Sequence, residues 1–285
     1  MSISAKHFLL TVSLLFWSNV LYAENVSLKT PENVLSTAEY HQGDSDKPLL
    51  IFIHGFLQTR SFTTVVRLFD AFHESGFPVL APTLSLGVSN RAQALPCETI
   101  HLHSLRSDTE EIGLWVEWAI AHGHREIVLI GHSAGSVNIT AYLGGEVPPQ
   151  VTKSVLISLT YFGPGRAAAF ESEAHAEKAR EMLKNSDTGV ATFALAFCKE
   201  YVSTAENFLS YYDWSDKAVL QAIDKKSTES YIIFGSEDER IGQQWVSALR
   251  KESRKVIVID GASHFFDQSY EFDLLDTLEN ILIGE

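Results

Sequence analysis

The sequence predicts an α/β protein: a mostly parallel central sheet with helices on both faces and a helical cap inserted late in the chain. Three observations point there. Short apolar runs recur at residues 49–53, 78–80, 127–130, 151–159, 231–234 and 256–259, the pattern of strands buried on both faces. Helix-period stretches at 61–74, 107–121, 135–143, 243–251 and 270–282 separate most of them, and such alternation implies parallel strands joined by helices. One gap breaks the rhythm: about 70 residues, helical by pattern, lie between the runs at 151–159 and 231–234, too many for a simple connection.

Taken in order, residues 25–43 read as one or two short edge strands. In 107–121, Ile112, Trp115, Val116, Ala119 and Ile120 recur at three- and four-residue steps, which builds one apolar helix face. Asp108, Glu110 and Glu111 fall in the first turn of that helix and suit its positive end. The insertion carries Phe170, Phe193, Phe197, Tyr201, Phe208, Tyr211, Tyr212 and Trp214, most of them expected to pack its own core and a minority to line a pocket. The organisation that follows is a signal peptide at 1–23, a core at 24–160 and 229–285, and a cap at 161–228.

Composition narrows the function. A chain of 285 residues that is 45% hydrophobic and 20% charged is globular, not disordered or fibrous. Its net charge of −14 repels nucleic acid unless a basic patch exists, and Arg250, Lys251, Arg254 and Lys255 are interleaved with Glu and Ser. Residues 1–23 hold no Asp or Glu, place Lys6 before an apolar stretch and end in Ala23. This is the layout of a secretory signal. The apolar stretch, about 13 residues, falls short of the roughly 20 that span a bilayer, so the expected location is exported, periplasmic or extracellular, with no stable membrane span afterwards. Export would let Cys97 and Cys198 pair; paired and free thiols are both open.

The chemistry sits at strand ends. Gly131-His132-Ser133-Ala134-Gly135 fits G-x-S-x-G directly after a strand and before a helix, the context that motif needs. Glycines on either side allow a sharp turn where a Cβ would clash, and the turn holds the Ser133 hydroxyl in the open. The Ala134 amide, at a helix N-terminus, faces the same space and suits a developing oxyanion. An earlier strand ends in His54-Gly55-Phe56, where Gly55 lets the backbone approach and leaves the Phe56 amide as a second donor. A hydroxyl is a weak nucleophile and needs a base, and the base needs an acid to orient it. Asp238, flanked by Glu237 and Glu239, and His264 both follow strands, where sites of open parallel sheets collect. His132 and His54 read as supports of the turn and the hole. His101 and His103 have the spacing of paired ligands, but no third ligand is evident.

With these motifs the chain resembles the α/β-hydrolase superfamily over residues 33–284. The resemblance implies the α/β-hydrolase fold, Ser133 as nucleophile, His264 as base, Asp238 as orienting acid, and the Phe56 and Ala134 amides as oxyanion hole, with no cofactor and no metal. It implies a serine hydrolase of small-molecule carboxylic esters or thioesters. Amide or lipid-ester cleavage on the same residues, or a binding protein that kept the scaffold without turnover, are the alternatives. Oligomeric state is not legible.

Overall fold

The computed structural model describes residues 24–165, 172–225, 228–251 and 254–284. The signal-peptide reading of residues 1–23, and with it Phe170, falls outside them. In chain order the first elements are β1 (Glu24–Lys29), β2 (Leu35–His41), β3 (Leu49–Ile53), α1 (Thr63–Glu74), β4 (Val79–Thr83) and α2 (Leu105–Ala121). Next come β5 (Ile127–His132), α3 (Ala134–Leu143), β6 (Val151–Ile157), α4 (Ser172–Lys184), β7 (Val190–Leu195) and β8 (Cys198–Thr204). The chain ends with α5 (Ala205–Tyr212), α6 (Asp216–Asp224), β9 (Glu229–Gly235), α7 (Gln243–Leu249), β10 (Lys255–Ile259) and α8 (Tyr270–Ile283).

Eight strands form one sheet in the order β1-β2-β4-β3-β5-β6-β9-β10. The edge region predicted at 25–43 is a hairpin: β1 pairs antiparallel with β2, and β2 antiparallel with β4. From β4 to β10 every pairing is parallel. The apolar runs explain this directly. β3 and β5 are buried along their whole length, and alternate side chains enter two separate cores. Ile51 and Leu129 join the core under α2 and α3, whereas Leu50, Phe52 and Val128 join the one under α1 and α8. Fully burying a side chain such as Phe52 contributes about 1.5–3 kcal/mol.

Helix α2 starts earlier than the sequence pattern suggests. Ser104 and Ser107 form a reciprocal capping box, which satisfies amide donors the helix leaves open. Two of the acids read as partners of the helix dipole turn inward instead: Asp108 and Glu111 are both buried. The Glu111 carboxylate accepts from the Ser36 hydroxyl at 2.5 Å, the Ser85 hydroxyl at 2.5 Å and the Ser85 amide at 2.8 Å. Burial nevertheless raises its pKa.

The insertion between β6 and β9 differs from its helical reading in one respect. Besides α4, α5 and α6 it contains β7 and β8, paired antiparallel as a separate two-stranded sheet. Phe193 and Tyr201 are partners in that hairpin, so aromatics counted toward helices stand on strands. Among the described residues no helix is long and apolar enough to cross a membrane.

Candidate active site

The turn from β5 into α3 is set by close backbone approach. A Cβ on Gly131 would lie 2.6 Å from the Gly135 carbonyl carbon, and one on Gly135 would lie 2.3 Å from the Ile53 carbonyl oxygen. Neither glycine can carry a side chain without moving backbone, as the motif predicts. Between them Ser133 takes φ 57° and ψ −120°, a conformation that costs a non-glycine residue about 1–3 kcal/mol. Hydrogen bonds hold it there. The Ser133 amide donates to the Ile157 carbonyl at 2.8 Å, and the Ser136 hydroxyl donates to the carbonyls of Gly131 at 2.7 Å and Ile157 at 2.8 Å. Ser133 itself stays half-buried, and the Ala134 amide is among the first N–H groups of α3, which lack partners within the helix.

His264 and Asp238 meet from neighbouring strand ends. His264 Nδ1 donates to Asp238 Oδ2 at 2.7 Å, with both residues buried. Glu237 and Glu239 are exposed, so of the three consecutive acids Asp238 is the one turned toward the imidazole. Its other oxygen accepts the Arg240 amide at 3.0 Å. The two turns are locked together because a Cβ on Gly235 would lie 2.1 Å from the Ala262 carbonyl oxygen.

His132 supports the histidine, not only the turn. Its Nε2 donates to the His264 carbonyl at 2.9 Å, and the Ser158 hydroxyl donates to the same oxygen at 3.2 Å. This places a proton on His132 Nε2. Burial, reinforced by the neighbouring His264, lowers its pKa to about 3.

The His54-Gly55-Phe56 turn lies beside Ser133. A Cβ on Gly55 would meet Ser133 Cβ and the His132 carbonyl at 3.7 Å, ordinary contact. Gly55 is thus not demanded by packing as the sequence suggested. His54 Nδ1 donates to the Gly55 carbonyl at 2.9 Å, and its Nε2 accepts the Leu84 amide at 3.0 Å. Arg91 then clamps the loop, donating to the Gln58 carbonyl at 2.6 Å and the Leu84 carbonyl at 2.9 Å. Ser133, Ala134, Phe56 and His264 all line one cavity of about 340 Å³. Phe62, Phe162, Phe197 and Phe265 add to its apolar wall, with Gln58, Thr160 and Arg240 as further polar lining.

This arrangement has a recognised relative. Residues 50–273 match the model of the alpha/beta hydrolase family. The chain belongs to that family. Solved structures with the same fold include Est1E from Butyrivibrio proteoclasticus, 16% identical with a TM-score of 0.65 over 92% of this chain and 99% of that one. The Pyrococcus furiosus esterase Pf2001 is 15% identical with a TM-score of 0.62 over 93% and 90% of the two chains. A thioesterase domain from the curacin biosynthetic pathway is 13% identical with a TM-score of 0.60 over 92% and 99%. At these identities the likeness is one of fold. No curated protein matches the chain by sequence.

In this alpha/beta hydrolase a second cluster joins the core to the insertion. Cys97 and Cys198 are bonded as a disulfide. His101 and Ser203 form a β-bridge, and the His101 ring stacks on Tyr201 at 4.4 Å. The Tyr211 hydroxyl donates to Asp108 at 2.5 Å and lies 2.6 Å from His103 Nδ1. The two imidazoles considered as a ligand pair therefore engage tyrosines. Burial, and then Asp108, raise the Tyr211 pKa well above the usual phenol range. The Phe56 ring packs between this cluster and the cavity, 5.8 Å from Tyr201 and 6.0 Å from Tyr211.

Of the insertion aromatics singled out in the sequence and described here, Phe197 lines the cavity, while Phe193 stacks on Phe208 at 4.4 Å inside the insertion. Sequence reasoning passed over Gln58, Phe62, Phe265 and Arg240. Their available signal was adjacency to the motifs. Arg91, in a loop without a motif, had none.

Proposed function

We propose that this hydrolase is an exported serine hydrolase that cleaves carboxylic esters or thioesters of small to medium apolar acyl groups. The observation that carries this reading is the 2.7 Å bond from His264 Nδ1 to Asp238 at the wall of the cavity that also holds Ser133. Asp238 fixes the Nδ1–H tautomer, which leaves the Nε2 lone pair free to accept a proton. Ser133 Oγ attacks the substrate carbonyl as His264 takes its proton. The Phe56 and Ala134 amides hold the oxyanion, each typically worth about 10²–10³ in rate. The intermediate collapses to an acyl-enzyme as His264 returns the proton to the leaving alcohol or thiol. Water, deprotonated by the same imidazole, then releases the acid and restores Ser133.

The phenylalanine-rich wall and the cavity of about 340 Å³ favour a compact apolar acyl group, at the small end of ligand pockets. The esterases and thioesterase of like fold agree with this chemistry. Export is supported by the composition of residues 1–23 and by the disulfide, a bond that persists in oxidising compartments. A fluorophosphonate probe is expected to label Ser133 in the exported fraction, in a chain starting at Glu24. Ser133→Ala should abolish labelling and lower ester turnover on the order of 10⁴-fold or more. Undiminished turnover in that variant would sink the mechanism.

A further inference from the structure

Arg240 is an outlier among the cavity residues. Apart from the histidines it is the one charged side chain in the described lining, and no carboxylate lines that cavity. The protein as a whole carries 36 acids against 22 Lys and Arg, so an arginine left without an acid partner at this place is conspicuous. Among the described residues it forms no ion pair, although its own loop presents Glu237, Asp238 and Glu239.

Its backbone is held at the site, and its side chain, exposed at the cavity, lies over an aromatic ring. The Arg240 amide donates to Asp238 Oδ1 at 3.0 Å, which ties the residue to the acid behind His264. Its guanidinium lies 4.9 Å from the centroid of the Phe265 ring, and that ring sits 5.0 Å from the His264 ring and 5.7 Å from Phe62. A guanidinium over an aromatic face is attracted to it and loses little freedom on binding. Such a fork suits a carboxylate or phosphate bidentately. The cavity thus offers an apolar wall for an acyl or alcohol chain and one cation over the Phe265 ring that adjoins the imidazole.

We infer that Arg240 is a specificity-determining residue that selects esters bearing an anionic group, a carboxylate or a phosphate, a short distance from the scissile carbonyl. This rests on the serine-hydrolase reading and adds the substrate class. The shared chemistry is the anion; whether it belongs to the acyl or the alcohol half is read by two arms of one experiment. In the acyl arm, phenyl hemisuccinate is compared with phenyl valerate. In the alcohol arm, the acetate of 4-hydroxybenzoic acid is compared with that of its methyl ester.

The expected result is that the wild-type kcat/KM ratio of anionic to neutral ester exceeds one in one arm, shrinks as salt is raised, and falls about 10–100-fold in Arg240→Gln. The loss should lie mainly in KM, and Arg240→Lys should give an intermediate ratio. Because the readout is a ratio, a general disturbance of the site, which slows both esters alike, leaves it unmoved. A ratio near one in both arms, or one that Arg240→Gln leaves intact, overturns the inference while neutral turnover and Ser133 labelling uphold the hydrolase. Absence of both labelling and turnover overturns the two together.

Discussion

The rim that carries Ser133 and the seam that holds the insertion are built in opposite ways. At the rim, backbone touches backbone: Gly135 lies against the Ile53 carbonyl, and Gly235 against that of Ala262, at distances no Cβ tolerates. At the seam, one backbone bridge, His101 with Ser203, is joined by side chains: Cys97 with Cys198 across 101 residues of sequence, and Tyr211 with Asp108 and His103. Backbone contacts have few adjustable dihedrals, so they fix the serine and histidine with the precision that the proposed proton transfer needs. Side-chain contacts can be rearranged without moving the sheet, which suits a segment that lends Phe197 to the cavity wall.

The sharpest way to break the comparison is a single methyl group at two glycines. Gly135→Ala places a Cβ 2.3 Å from the Ile53 carbonyl oxygen and 2.7 Å from that of His54. Neither atom can rotate away, so the expected loss is about 3 kcal/mol or more, the upper range for overpacking. Gly55→Ala meets nothing closer than 3.7 Å and should change stability by less than about 0.5 kcal/mol. It should still lower ester turnover, because the new methyl stands beside Ser133. Urea unfolding of the two variants checks this; equal stabilities would show that the rim is not backbone-limited.

That contrast also explains what was legible in the sequence. Close backbone approach leaves glycine as its trace, and the trace lies within a few residues of the group it positions. Gly131, Ser133 and Gly135 could therefore be read together, and Asp238 and His264 could be placed at strand ends. The strand runs were legible because burial on both faces leaves uninterrupted apolar residues. Side-chain partnerships leave no such trace. Asp108 and Glu111 have the appearance of surface acids in a first helical turn, and only tertiary partners from Tyr211, Ser36 and Ser85 draw them inside. Tyr201 sits in a stretch whose pattern reads as helix, yet it pairs with Phe193 across a hairpin. Arg91 binds carbonyls of Leu84, Gln58 and Gln93, and carbonyl oxygens have no signature in a sequence at all.

The seam can be tested where it is covalent. Loss of a cross-link over a loop of this length costs at most about 4–5 kcal/mol in the chain-entropy model. Here Tyr211, His103 and the His101–Ser203 bridge keep the same segments together in the native state, and residual order in the unfolded chain lowers the gain further. Replacing Cys97 and Cys198 by serine is expected to cost about 2–3 kcal/mol in urea unfolding, with fluorophosphonate labelling of Ser133 retained. Loss of labelling in a variant that remains folded would mean that the seam, and not the backbone alone, positions the serine.

A smaller expected effect than loss of the disulfide separates the two regions by pH. At the rim, His54 and His132 are neutral in the native state, each with its pKa lowered to about 3. Burial is the first cause for both; the second is Arg91 for His54 and His264 for His132. Protonating His54 would also remove the lone pair that accepts the Leu84 amide. In the unfolded chain both titrate near about 6.5, so unfolding takes up protons below that pH, and stability present above it is lost as pH falls toward 3. Each histidine should cost about 1 kcal/mol by about pH 6 and about 1.4 kcal/mol for each further unit. At the seam, His101 contributes in the same direction, with burial and His103 lowering its pKa to about 4, while Glu111 of the core, raised by burial, opposes it. Replacing His132 or His54 by asparagine isolates the rim: relative to wild type, the slope of stability against pH between about 6.5 and 5 should flatten by one histidine's share. Parallel slopes in variant and wild type would show that the histidine is not held neutral, and that the His264 carbonyl or the Leu84 amide is satisfied by something else.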